Sequence, residues 1–149
     1  VKIIAVVDST CLIGLERIGH LELLSGLLEP ILAPPSVVSE FGSRPQWLTI
    51  EAPVNAGIVA ALKLVVDAGE AEAIALAYER GCRIILDDRK ARVVARQLGI
   101  SLTGTVGLLL RAKRVGIVPK LLPLLDALDS NHFFVGRALR VEALRLAGE

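Results

Sequence analysis

The chain contains no methionine, two histidines, two cysteines and only five aromatic side chains: one Trp, one Tyr and three Phe. Each scarcity removes a class of chemistry. His20 and His132 are far apart, and Cys11 and Cys82 share no metal spacing, so zinc has too few nitrogen and sulfur ligands. A Ser/His/Asp or Cys/His nucleophile has no support, and no GxSxG, P-loop or GxGxxG segment follows a strand. The DxDxT and DxD spacings wanted by phosphatase or topoisomerase-primase-like domains are missing too. Two distant cysteines make no disulfide framework, which points to a reducing, cytoplasmic setting. Trp47, Tyr78, Phe41, Phe133 and Phe134 are scattered, a pattern that argues against a base-stacking platform. No apolar run approaches the ~18 residues of a membrane span. The N-terminal VKIIAVVDST lacks a signal-peptide cleavage site.

What is present is apolar surface and divided charge. The 149 residues suit one domain with one sizeable core, and 53% of them are hydrophobic. Residues 1–88 hold six Lys/Arg against twelve Asp/Glu, whereas residues 89–149 hold eleven against four. An acidic half joined to a basic half suits an enzyme that holds cations with one and phosphates with the other. Solvated surface charge is the plainer explanation of the same asymmetry.

The order of elements is alternating. KIIAVV (2–7) reads as a buried strand, followed by helical CLIGLERIG and HLELLSGLL up to Pro30. ILA (31–33) is a short strand, and Pro34-Pro35 opens the helix SVVSEF. SRPQWLTI ends in an edge strand at most, residues 54–66 look helical, and alanine density makes GEAEAIALAYER a helix. Strand RIIL, helix RKARVVARQLG, strand ISLT and helix TVGLLLRAKRVG follow. Pro119 opens KLLPLLDAL, and residues 126–149 form a basic, helical C-terminal extension of the same domain. Strands separated by helices imply right-handed crossovers: an α/β three-layer α/β/α sandwich with a mainly parallel central sheet. The amphipathic segments 10–28 and 119–147 would bury a face against a second copy, giving a homodimer, or against another protein. The stripe Leu121, Leu122, Leu125 and Leu128 is equally well explained as core.

Ligands of such sheets bind beyond the strand carboxyl ends. Asp8 and the Asp87-Asp88 pair stand there, as does the Thr103-Gly104-Thr105 turn. Each has a structural explanation. Asp8 could cap the following helix, although Ser9 or Thr10 would free it by doing so. Asp67-Ala68-Gly69-Glu70 has the spacing of a capping box. Helix phase puts Glu70 on the apolar stripe with Ala73, Ile74 and Ala77, and Glu72 on a wetter face. One of Asp87 and Asp88 can cap the next helix, which leaves the other unexplained, and Thr105 reads as an N-cap. Glu40 suits an exposed helical position. Together these carboxylates crowd one rim, where like charges destabilise unless cations neutralise them. Oxygen ligands favour Mg²⁺ or Mn²⁺.

VVDSTCLI, VVSEF, GEAEAIALA, IILDDRKARVVARQLGI and TGTVGLLLRAKRVG together resemble the PIN-domain nucleases, over about residues 2 to 125. Within that superfamily the chain is similar to a prokaryotic group near the toxins of toxin–antitoxin pairs. The resemblance implies Mg²⁺- or Mn²⁺-dependent hydrolysis of RNA, with an antitoxin as protein partner. It assigns the catalytic acids to Asp8, Glu40, Glu70 and Asp88, with Glu72 the near alternative to Glu70 and Asp87 supporting at the metal. Ser9 and Thr103 or Thr105 match polar rim positions. Arg89, Lys90 and Arg92 lie where phosphates would approach. Two departures stand out: the helix acid is Glu where the toxins commonly have Asp, and RKAR replaces their aromatic-containing loop. The alternative is a catalytically inactive PIN-like domain that binds nucleic acid or a partner.

Overall fold

A computed structural model of the chain describes residues 2–149. Five strands form its centre: β1 (Ile3–Val7), β2 (Leu28–Ala33), β3 (Leu48–Ile50), β4 (Arg83–Ile85) and β5 (Leu102–Thr103). They run parallel in the order β3-β2-β1-β4-β5. Helices α1 (Ser9–Arg17) and α2 (Leu23–Leu27) lie between β1 and β2, and α3 (Pro35–Phe41) leads to β3. Then come α4 (Ala56–Leu62) and α5 (Ala68–Arg80) before β4, and α6 (Arg89–Gln97) before β5. Helices α7 (Thr105–Arg114), α8 (Leu122–Ser130) and α9 (Arg137–Leu146) complete the chain. Parallel neighbours need crossovers, and the crossover helices cover both faces of the sheet. The result is the three-layer α/β/α sandwich that the alternation implies.

The strands lack polar alternation because both faces are covered. Ala5, Val6, Val7, Ile84, Ile85 and Leu86 are all fully buried. The small side chains of α5 (Ala71, Ala73, Ala75, Ala77) are buried as well, which lets the helix lie close against β1 and β4.

Three boundaries differ from the sequence pattern. β2 begins at Leu28 and runs through Pro30, where a helix up to the proline was expected. Leu28 pairs with Ile3, and the β1–β2 register shifts before Ala5 meets Ile31. β3 begins pairing only at Ile31, so Pro30 faces no strand on that side and its missing N–H breaks no ladder. α4 is confined to Ala56–Leu62, capped by Asn55, whose side chain accepts from the Ile58 amide at 3.0 Å. α8 starts at Leu122 with Pro123 in its first turn, rather than at Pro119.

The apolar excess is largely internal. Leu12, Leu15, Leu24, Leu27 and Leu28 of the 10–28 segment are buried, and so are Leu121, Leu125 and Leu128; Leu122 is exposed. Three of the four leucines of that stripe are therefore core. No helix among the described residues is long and apolar enough to cross a membrane.

The strand order has one consequence for chemistry. The chain moves outward from β1 through β2 to β3, then returns to place β4 and β5 on the other side of β1. The reversal lies between β1 and β4, whose carboxyl ends are level: Val7 pairs with Ile85, and the Asp8 amide donates to the Ile85 carbonyl at 3.2 Å. Helices leaving that point diverge and open a crevice. Asp8 and Asp87 stand at its floor.

Candidate functional site

Asp8 is the N-cap of α1, its Oδ1 accepting from the Cys11 amide at 2.9 Å. It is only 3% exposed. Capping and a role in the crevice do not compete, because a carboxylate has about four acceptor sites. Asp87 is held on both oxygens by Thr105, whose amide donates to Oδ1 at 2.8 Å and whose hydroxyl donates to Oδ2 at 2.6 Å. Thr105 is fully buried and is the first residue of α7; Gly104 occupies the cap position instead. Burial, reinforced by the Asp87 charge, pushes the Asp8 carboxyl up to about 8. Burial raises Asp87 too, against the Thr105 bonds and the Arg92 charge that hold it down. Two adjacent carboxylates, one buried and one half-buried, cannot both ionise cheaply, so without a cation the pair retains a proton.

Glu70 and Glu40 enter from the helices. Asp67 and Glu70 form the capping box of α5: the Glu70 amide donates to Asp67 Oδ1 at 2.8 Å, and the Asp67 amide to Glu70 Oε1 at 3.2 Å. Burial raises the Glu70 carboxyl, and the charges of Asp67, Asp88 and Glu40 add to the rise. The Ser9 hydroxyl donates to the Glu40 carboxylate, linking the start of α1 to α3. Asp8, Ser9, Glu40, Asp67 and Glu70 line one cavity of about 350 Å³.

Thr10, Asp67 and Glu70 also border a neighbouring cleft of about 950 Å³, whose lining includes Asp87, Asp88, Arg89, Arg92 and Arg96. The spacing 89, 92, 96 puts the three arginines on one stripe of α6. Arg92 reaches deepest, its Nη1 donating to the Leu86 carbonyl at 2.9 Å. Arg96 was missed in the sequence, although the helical period from Arg89 would have found it; Lys90 does not line the cleft.

Gly104 lets Arg92 and Asp87 come this close. A Cβ there would lie 2.8 Å from Arg92 Nη1 and 3.0 Å from Asp87 Oδ1. Gly104→Ala is expected to make the Arg92 guanidinium swing aside and to crowd Asp87, destabilising the fold by about 1 kcal/mol, as mild overpacking does. Urea denaturation checks it, and an unchanged midpoint would contradict it.

Several expected positions move. Asp88 was expected as the principal acid with Asp87 supporting, but Asp87 is the one beside Asp8. Asp88 is exposed and caps α6, its Oδ2 accepting from the Ala91 amide at 2.9 Å. Its charge still bears on Glu70. Glu72 faces a separate groove beside α4, with Ala56 and Val59, because α5 turns it away from the crevice. The Thr103 hydroxyl accepts from Arg83 Nη1 at 2.8 Å instead of pointing at an acid. Thr105 acts on Asp87 as a donor and not as a helix cap. The aromatics are not wholly scattered either: His132, Phe133 and Phe134 line the same cleft as Asp87, Asp88 and the arginines.

The donors are carboxylate and hydroxyl oxygens, the kind that a hard divalent cation takes. Among the described residues, no group of three or more His, Cys, Asp or Glu side chains converges as an assembled cation site. The carboxyls of Asp8, Glu70 and Asp87 are all raised, chiefly by burial, which disfavours their charged forms until a cation compensates them. In donor type and in charge, the residues fit a divalent cation.

Residues 4–149 match a family model described as a PIN domain. None of the curated proteins matches the chain.

Proposed function

The chain belongs to the PIN-domain family, whose members are generally nucleases that bind divalent metals, and from that premise we propose that it is a metal-dependent ribonuclease. The observation that carries the reading is a pair of adjoining cavities that share Thr10, Asp67 and Glu70: buried Asp8 at the end of β1 lines one, and Asp87 at the end of β4 lines the other beside the arginine stripe. Asp8, Asp87, Glu70 and Glu40 would hold Mg²⁺ or Mn²⁺. Bound there, such an ion supplies Lewis acidity to a phosphate oxygen and lowers the pKa of a water. The chain's own residues do the rest. Thr105 fixes Asp87, the Cys11 amide fixes Asp8, and Ser9 steers Glu40. Arg89, Arg92 and Arg96 take the phosphates flanking the cut and offset their charge. A toxin role with an antitoxin partner extends the same reading and rests on the sequence resemblance.

One observation favours the alternative of a binding module without catalysis, namely that the acids do not converge as they stand. Cleavage of a mixed single-stranded and structured RNA in Mn²⁺, Mg²⁺ and EDTA separates the two. The nuclease reading expects cutting in the metal ions and none in EDTA. Intact RNA in all three, with RNA still bound, would assign the binding module.

A further inference from the structure

The cleft that the arginines line carries a further side chain that folding alone does not explain. Phe134 is 87% exposed and borders the 950 Å³ cleft. An exposed ring of this size forgoes the stabilisation that burial would bring. Nor does it hang from a loose loop. Next to it, the Phe133 ring lies against α1 so closely that a Cβ on Gly14 would come within 2.9 Å of it. The Phe133 amide donates to the Leu128 carbonyl at 2.9 Å, and the amide of buried Val135 donates to Asp129 Oδ1 at 3.1 Å. Arg140 in turn holds Asp129 at 3.1 Å. His132, just before the two rings, adopts the left-handed backbone (φ 65°) that non-glycine residues seldom take. The chain thus fixes Phe133 and Val135 on either side while leaving Phe134 in water.

We propose that Phe134 is a stacking platform for one unpaired base of the substrate, in the cleft that the phosphate-binding arginines also line. The inference rests on the ribonuclease reading and deepens it. A polynucleotide carries both phosphates and flat apolar base faces, and the cleft lines up arginines for the first and an exposed ring for the second. Bases in a duplex are stacked on each other, so the ring selects single-stranded segments. A protein partner would also cover an exposed Phe, but three arginines lining the same cleft favour a polyanion.

The test uses the Asp8→Asn protein, in which the strand stays whole, and fluorescence anisotropy with a short labelled oligouridine. Adding Phe134→Ala is expected to weaken binding roughly 5- to 150-fold, the usual effect of removing one base–aromatic stack, and Phe134→Tyr to restore it. An abasic strand of the same length should bind weakly and equally with and without Phe134. Since the side chain is exposed, these variants leave the fold intact, which circular dichroism checks. Unchanged oligouridine affinity in Phe134→Ala, while the unaltered protein cuts RNA in Mn²⁺, would overturn the platform and leave the nuclease reading standing. Neither cutting by the unaltered protein nor any RNA binding would overturn both.

Discussion

Asp8→Asn is expected to abolish metal-dependent RNA cleavage, by about 10²–10³-fold or more, and at the same time to stabilise the metal-free protein. The two effects have one cause. Asp8 is buried beside Asp87, and its carboxyl is pushed up to about 8 from an ordinary value of 3.8. Between roughly pH 4 and pH 8 the native state keeps a proton that the unfolded chain has released, so stability falls as pH rises through that window. Asparagine keeps the oxygen that caps the Cys11 amide and removes the charge that Asp87 repels. Urea denaturation in EDTA should show the variant more stable by several kcal/mol at the alkaline end and little changed near pH 4. Cation binding displaces the retained proton, so affinity for Mn²⁺ should also rise with pH across the same range. A variant less stable than the parent at pH 8 would contradict this account of the crevice.

The second large effect separates two neighbours. Asp87→Asn is expected to lose cleavage as fully as Asp8→Asn does, whereas Asp88→Asn should lose less than about tenfold. Asp87 sits beside Asp8 with both oxygens held by Thr105. Asp88 is exposed, and its capping bond to the Ala91 amide is one that asparagine makes about as well. Initial rates on one RNA check the ranking. The reverse order, with Asp88→Asn the dead variant, would return the principal role to the position that the sequence resemblance favoured.

That ranking marks where the sequence stopped being readable. The strands around Val6 and Ile84 are legible because a parallel sheet demands unbroken apolar runs, and strand ends in such a sheet are where acids matter. The same unbroken burial hides the phase. Ile84, Ile85 and Leu86 are all buried, so no alternation shows which of the next two aspartates turns inward. The answer comes from Thr105, 18 residues further on. Glu70 was separable from Glu72 because helical period applies within one element, and the capping box was visible in the spacing. Arg96 was equally visible by period. Phe134 was not: its place depends on Phe133 meeting Gly14, a contact between segments more than a hundred residues apart that no local pattern encodes. Asp8 was read as either a cap or a site residue, and its geometry allows both.

The role proposed for Asp8 and Asp87 at the β1–β4 switch point is to hold a divalent cation. Calorimetric titration of the metal-free protein with Mn²⁺ tests it without any assumption about substrate. The account predicts saturable binding to the unaltered protein, lost in Asp8→Asn and in Asp87→Asn and retained in Asp88→Asn. Equal binding by Asp8→Asn and the unaltered protein, or no binding by either, would contradict it.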